Sequence, residues 1–350
     1  MGFVNDISCC ELTPEARSRL VKTPADVAGV VVKFKPKQFF VDIDRLEFVA
    51  NNAIMSELGI TPRLLYIDAD CMINEYVPSR NYKIEEDLDP KTVKELARVL
   101  ARIHSAKPPI SSKTFKNWEK LFDEDSPMMK NPPMKNIIDK KYLDSLKEET
   151  EEIKAKYWDL LESIEYLESS RLTRELSKKV NSTFVFSHSD FNRGNRLVAK
   201  VKDPETGVEK KRIWIVDFDY STINYRGIDF GRYFSNYRHE DDMFGDEGFP
   251  TDEEMALFLE EYRQECARIQ GQFYLEANPL EMLIREAKIF AMQAYSDFFF
   301  CLMMYTNDPK GPRKDYFLEA AFNRYSGLQK LKKRFTEDGT IPYVLKQEKK

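Results

Sequence analysis

The chain has 350 residues, 32% of them charged and 42% hydrophobic, and a formal net charge of −5 spread over both signs. That length is enough to bury a large core and to form two lobes, and the absence of a basic tract argues against a nonspecific nucleic-acid binder. Cys9, Cys10, Cys71, Cys266 and Cys301 form no C-x-x-C pair and the three histidines are scattered, which excludes a disulfide framework and a zinc centre as first readings and favours reduced thiols.

The first twenty residues lack the charged head and apolar block of a secretory leader, so the expectation is a cytoplasmic chain. Gly29 to Phe34 is rich in β-branched residues and predicts a strand; Ile43 to Leu58 has helical apolar recurrence and stops at Gly59. Arg63 to Ile67 and Cys71 to Val77 predict two more strands, ended by Pro78. Asp89-Pro90 opens a helix through His104 whose apolar face carries Val93, Leu96, Val99, Leu100 and Ile103. Residues 107–133, rich in Pro, Ser and Lys, predict a surface segment, and 142–179 a charged helical stretch. From about residue 180 the pattern turns strand-like; the last hundred residues return to helices, interrupted at Asn307 to Pro312. Phe298 to Tyr305 is the most apolar run and far too short to span a bilayer, so no transmembrane segment is expected.

Two polar segments carry the chemistry: His188-Ser-Asp190-Phe-Asn-Arg-Gly-Asn195 and Ile215-Val-Asp217-Phe-Asp219-Tyr220. Between them, Arg196 to Lys200 and Lys211 to Val216 predict a hairpin around the Asp203 to Gly207 turn, which brings Asn195 and Asp217 to its open end. A magnesium ion takes oxygen ligands in octahedral geometry, and Asn195 and Asp217 are candidates to hold it. Asp190 is the candidate to orient an attacking hydroxyl and accept its proton, and His188 to brace the loop. Asp219 reaches a second metal ion or bonds backbone; both readings stay open.

Upstream, Lys33 inside an apolar strand can turn its ammonium toward phosphates while its stem stays packed, or it is an ordinary edge-strand lysine. Glu47, in the first turn of the next helix, is the expected partner of Lys33, or an ordinary helix-cap carboxylate. Glu75, Tyr76 and Val77 fall at the expected lobe connection, near residues 78–88, where backbone groups can hold adenine.

These residues resemble the choline/ethanolamine kinase family, within the kinase-like aminoglycoside-phosphotransferase fold. The H-x-D-x4-N pattern marks the wide group. Asp217 to Gly231, Asn74 to Arg80 and Leu96 to His104 resemble narrower family segments, and the likeness covers roughly residues 30 to 335. It implies an α+β, two-lobed protein-kinase-like fold: a small β-rich N-terminal lobe over residues 1–80 for the nucleotide and a large, mainly helical lobe over 81–350 for catalysis and the acceptor. It implies ATP and Mg²⁺ as cofactors, Asp190 as catalytic residue, Asn195, Asp217 and Asp219 at metal, and Lys33 at the nucleotide phosphates. Asn192, Tyr220, Asn236, Tyr295 and Phe298 are implied around the acceptor, with Asp229 as a structural brace beside Arg226. The implied reaction is phosphorylation of choline, with ethanolamine second, giving phosphocholine or phosphoethanolamine for phospholipid synthesis. A homodimer is implied because family members often form one.

The chain also departs from the pattern. Where a glycine-rich loop is usual it reads Ile7-Ser-Cys-Cys-Glu-Leu-Thr13; Tyr295-x-x-Phe298 replaces a Trp-x-x-Trp; Asn236 replaces a glutamate; Asn192-Arg193 replaces Gln-Glu. Two other readings are therefore carried: a catalytically weak or inactive kinase-like nucleotide-binding protein, and an aminoglycoside-type small-molecule kinase.

Overall fold

Val30, Val31 and Val32 suit a pleated, half-buried surface, and their strand becomes the centre of the first sheet. The computed structural model describes residues 6–11, 13–15, 27, 29–34, 44–68, 70–116, 164–202, 207–239, 248–296, 301 and 314–347. Strand β1 (Asp6–Glu11) pairs antiparallel with β2 (Gly29–Phe34), and the sheet is completed by β3 (Leu64–Ile67) and β4 (Cys71–Glu75) in the order β1-β2-β4-β3. Strand β1 occupies the region where a glycine-rich loop is usual: it is an extended edge, with Ile7 opposite Lys33.

Between β2 and β3 runs helix α1 (Arg45–Glu57). Asp44 caps it, its Oδ1 accepting from Leu46 N at 3.0 Å and Glu47 N at 3.1 Å. Gly59, at φ +62°, takes the left-handed turn that lets Ile60 N bond back to Met55 O at 2.9 Å. The buried face of α1 is unusually polar, with Glu47, Asn51 and Asn52 beside Phe48 and Met55.

A short strand β5 (Ser79–Asn81) and the single turn α2 (Ile84–Asp87) follow, then α3 (Pro90–Ser105), whose five expected apolar residues are all buried. Asp89 caps α3, and Pro90 stands at its first position, where a missing N–H costs nothing.

Strand β6 (Phe184–Ser187) leads into the first polar segment, and β7 (Arg196–Lys202) and β8 (Glu209–Ile215) form the expected hairpin, in register from Arg196↔Ile215 to Lys202↔Glu209. Residues 203–206 of its turn lie outside the described residues; Gly207 is left-handed at φ +68°. β5 adds to β7 in a three-stranded sheet, and β6 pairs with β9 (Thr222–Tyr225).

The remaining helices are α4 (Ile164–Lys179), α5 (Gly227–Ser235), α6 (Asp252–Gln270), α7 (Phe273–Ala277), α8 (Leu280–Ser296), α9 (Lys314–Glu337) and α10 (Thr340–Leu345). The architecture is therefore α+β, with a β-rich N-terminal part and a helical C-terminal part of kinase-like design. By its contacts the chain divides into two units: residues 1–117, 185–224 and 260–275, and residues 118–184, 225–259 and 276–350.

The second unit has a core of Leu176, Phe290, Met292, Leu328 and Phe335 among others. Gly227 and Gly231, one helical turn apart on α5, let it press onto α8: a Cβ on Gly231 would lie 2.3 Å from Phe290 O. Beside this contact Arg226 is bound by Glu286 (2.8 and 3.1 Å) and Asn278 (2.7 Å), all buried, and Ser182 Oγ donates to Glu286 at 2.6 Å. No helix among the described residues is long and apolar enough to cross a membrane.

Candidate active site

The two polar segments meet in the first unit, stapled by three hydrogen bonds. His188 Nε2 donates to Val216 O at 3.0 Å, Val216 N to Asn195 O at 3.0 Å, and Ser221 Oγ to His188 O at 3.1 Å. The His188 ring is fully buried, 4.6 Å from that of Phe218, and its Nδ1 accepts from Asp190 N at 3.3 Å. These two bonds assign the proton to Nε2. Ser189 and Asp217, one in each segment, are left-handed at φ +65° and +69°. For residues other than glycine this stores strain of roughly 1–3 kcal/mol each, and such strain concentrates where a backbone is held for a purpose.

Asp190 is held at both oxygens. Asn192 Nδ2 donates to its Oδ1 at 2.9 Å and Asn195 Nδ2 to its Oδ2 at 3.0 Å, while Asn195 Nδ2 also reaches Asp190 O at 2.9 Å. Asn192, expected at the acceptor, steadies the carboxylate and caps the 3₁₀ turn Arg193–Asn195 by accepting from Asn195 N at 3.2 Å. With its Nδ2 so engaged, Asn195 has its carboxamide oxygen left as a ligand atom.

Lys33 Nζ lies 2.7 Å from Asp217 Oδ1 and 2.8 Å from Asp219 Oδ1. Burial works against this ammonium, but the Asp217 and Asp219 charges outweigh it and hold its pKa above the ordinary range. Burial likewise raises the Asp217 carboxyl, and the Lys33 charge outweighs it, leaving the group below its usual value. Asp217 and Asp219 converge on one cation, and carboxylate oxygens are the donors a hard, oxygen-liganded metal ion takes. Tyr220 is packed against the Phe48 and Met72 cluster; burial, then the charges of Asp190, Asp219 and Asp217, raise its phenol, which stays a protonated donor facing the carboxylates.

The expected Lys33–Glu47 pair is not formed. Glu47 accepts from Ser111 Oγ at 2.8 Å and Lys113 N at 2.9 Å, tying α1 to the segment after α3. The link from α1 to the site is Asn51, whose Nδ2 donates to Ser221 O at 2.7 Å. Its sequence signal is an amide on the Phe48–Met55 stripe.

The side chains of Glu75 and Lys33 lie on opposite faces of the sheet, since Val30 pairs with Glu75 and Lys33 with Met72 and strand positions alternate. The Glu75 carboxylate binds Arg63 Nε at 3.0 Å, beside a cavity of about 380 Å³ that Ser56, Thr61 and Trp214 also line and no residue around Asp190 does. Tyr76 is exposed and donates its N–H to Gly29 O at 2.9 Å; Val77 is half-buried next to it.

In the second unit, Tyr295, expected on an acceptor wall, is buried in the core cluster with Phe290 and Leu328. Asn236 is buried at the C-terminal cap of α5, and Asp229 is buried in its first turn. Phe298 lies outside the described residues.

The family model for choline/ethanolamine kinase matches residues 30–326. The chain belongs to the choline/ethanolamine kinase family. Curated family members match it at 28% identity over 228 residues (choline/ethanolamine kinase of Rattus norvegicus, 62% of this chain and 50% of that protein) and 26% over 256 residues (choline/ethanolamine kinase of Homo sapiens, 69% and 58%). The chain thus spans about half the length of the curated relatives it matches. Among solved structures, a choline kinase of Cryptosporidium parvum superposes with TM-score 0.63 at 18% identity, covering 99% of this chain and 90% of that one. An ethanolamine kinase of Plasmodium vivax does so with TM-score 0.59 at 18% identity, covering 93% and 80%. At these identities the superpositions establish the fold, and the family match covers both polar segments.

Proposed function

We propose that this chain is an ATP-dependent phosphotransferase acting on the hydroxyl of a small amino alcohol, choline first and ethanolamine second. The observation that carries the reading is that the Asn195 amide fixes the Asp190 carboxylate while the Asn195 backbone carbonyl accepts from Val216 N, next to Asp217, which converges with Asp219 on Lys33.

In this reading the acceptor hydroxyl lies against Asp190. Its oxygen bonds the γ-phosphorus, the bond to the β–γ bridging oxygen breaks, and its proton passes to the Asp190 carboxylate. Asn192 and Asn195 keep that carboxylate aimed, which matters more than its basicity when positioning dominates. Magnesium, when bound, would supply charge neutralisation on the phosphates; Asp217, Asp219 and the Asn195 oxygen would hold it. Lys33 adds a second, fixed positive charge at the same place.

Steady-state rates with MgATP and a panel of choline, ethanolamine, methylated ethanolamines and aminoglycosides test the reading. Acceptor-dependent ADP formation highest for choline supports it, and a preference for aminoglycosides contradicts it. A second reading, weak or absent turnover with nucleotide binding retained, is favoured by β1, which is an extended strand without glycine. Nucleotide affinity without acceptor-dependent turnover at high enzyme concentration would select that reading.

A further inference from the structure

Arg193 stands in the loop between Asp190 and Asn195, and its side chain is buried. Its Nη2 lies 2.5 Å from Asp87 Oδ2, with side-chain exposures of 6% and 0%. Asp87 ends α2. The Arg193 guanidinium also stacks 5.5 Å from the Tyr82 ring centre, and on the same ring, at 5.5 Å, lies Arg196. Arg196 donates to Phe191 O at 2.6 Å, and Tyr82 N donates to Arg196 O at 2.9 Å. The backbone of residues 191–196 is thereby fastened to residues 82–87.

A buried ion pair is a poor way to gain stability, because desolvation of both charges offsets their attraction and an apolar pair of similar size does as well. What a planar guanidinium against a carboxylate does supply is direction. We propose that Arg193, acting through Asp87, is a positioning residue for phosphoryl transfer. The pair sets the pitch of the 193–195 turn, and so the placement of Asn195 against Asp190. It rests on the phosphotransferase reading above.

The test is the apolar double variant Asp87→Leu/Arg193→Met, assayed beside the unmodified chain. It is expected to fold with a melting temperature close to that of the unmodified chain, to keep the KM for ATP, and to lose about 10²-fold in kcat, the cost of misplacing a catalytic group by about an ångström. The magnesium concentration for half-maximal rate is expected to rise, a shift that a purely structural pair would not produce. Unchanged kcat and magnesium dependence in the folded double variant would overturn the proposal alone. No acceptor-dependent turnover in the unmodified chain would overturn the functional reading and this assignment with it. Should the double variant not fold, Asp87→Asn decides: a fall in kcat at constant KM supports positioning, and full kcat overturns it.

Discussion

Lys33 and Asp217 form a direct ion pair, 2.7 Å from Nζ to Oδ1, although 184 residues separate them in the chain. The same ammonium binds Asp219, so one lysine bridges both carboxylates of the second polar segment. Replacing it by methionine leaves two carboxylates facing each other in a largely buried place. Lys33→Met is expected to melt lower than the unmodified chain and to regain more stability from added Mg²⁺ than the unmodified chain does, because the repulsion between the two carboxylates is then offset by the added ion alone. Thermal melts with and without Mg²⁺ check this; an equal Mg²⁺ response in both proteins contradicts it.

The same pair fixes a pH dependence. The Asp217 carboxyl is depressed from its ordinary 3.8, so its stabilisation is complete above that value and is lost as pH falls toward the depressed one. The Lys33 ammonium is raised from 10.5, so its contribution is complete below that value and lost as pH rises past the raised one. Melts in EDTA should show a stability advantage over Asp217→Asn that is constant at neutral pH and shrinks below pH 3.8.

Asp190→Asn is expected to keep the fold, since an amide can still bond the loop, and to lose about 10²–10⁴-fold in kcat, the usual worth of a positioned general base. Asn192→Ala removes one of the two amide donors to that carboxylate and should lose less, with the KM for ATP unchanged. Comparison of kcat and KM across the two variants separates the roles.

Much of this site was legible in the chain. The hairpin follows from β-branched runs around a Gly207 turn, and Asp89-Pro90 announced the start of its helix. Strand β1 was not legible, because Ile-Ser-Cys-Cys has no strong alternation and its pairing with β2 is a long-range fact. The partner of Glu47 was missed because it lies 64 residues downstream, in a segment with no pattern of its own. Tyr295 shows a general ambiguity: an aromatic on an apolar helix face reads the same whether it lines a pocket or fills a core. Arg193 was visible as a charge reversal, but only the fold brings Asp87 to it.

In the second unit, Gly231→Ala would push a methyl into the backbone at Phe290, with no flexible side chain to yield. It is expected to destabilise by about 1–3 kcal/mol or more. Glu286→Ala, which strands the buried Arg226, should cost about 3–5 kcal/mol. Denaturant melts of the two variants check both figures, and a loss below ~1 kcal/mol for Glu286→Ala would contradict the account of this pair.

The most direct measurement is ³¹P NMR of the chain with MgATP and choline. The account predicts a phosphomonoester resonance growing one-for-one with ADP, and its absence from the same mixture made with Asp190→Asn. ADP accumulating with inorganic phosphate alone, or a spectrum that does not change at high enzyme concentration, would contradict it.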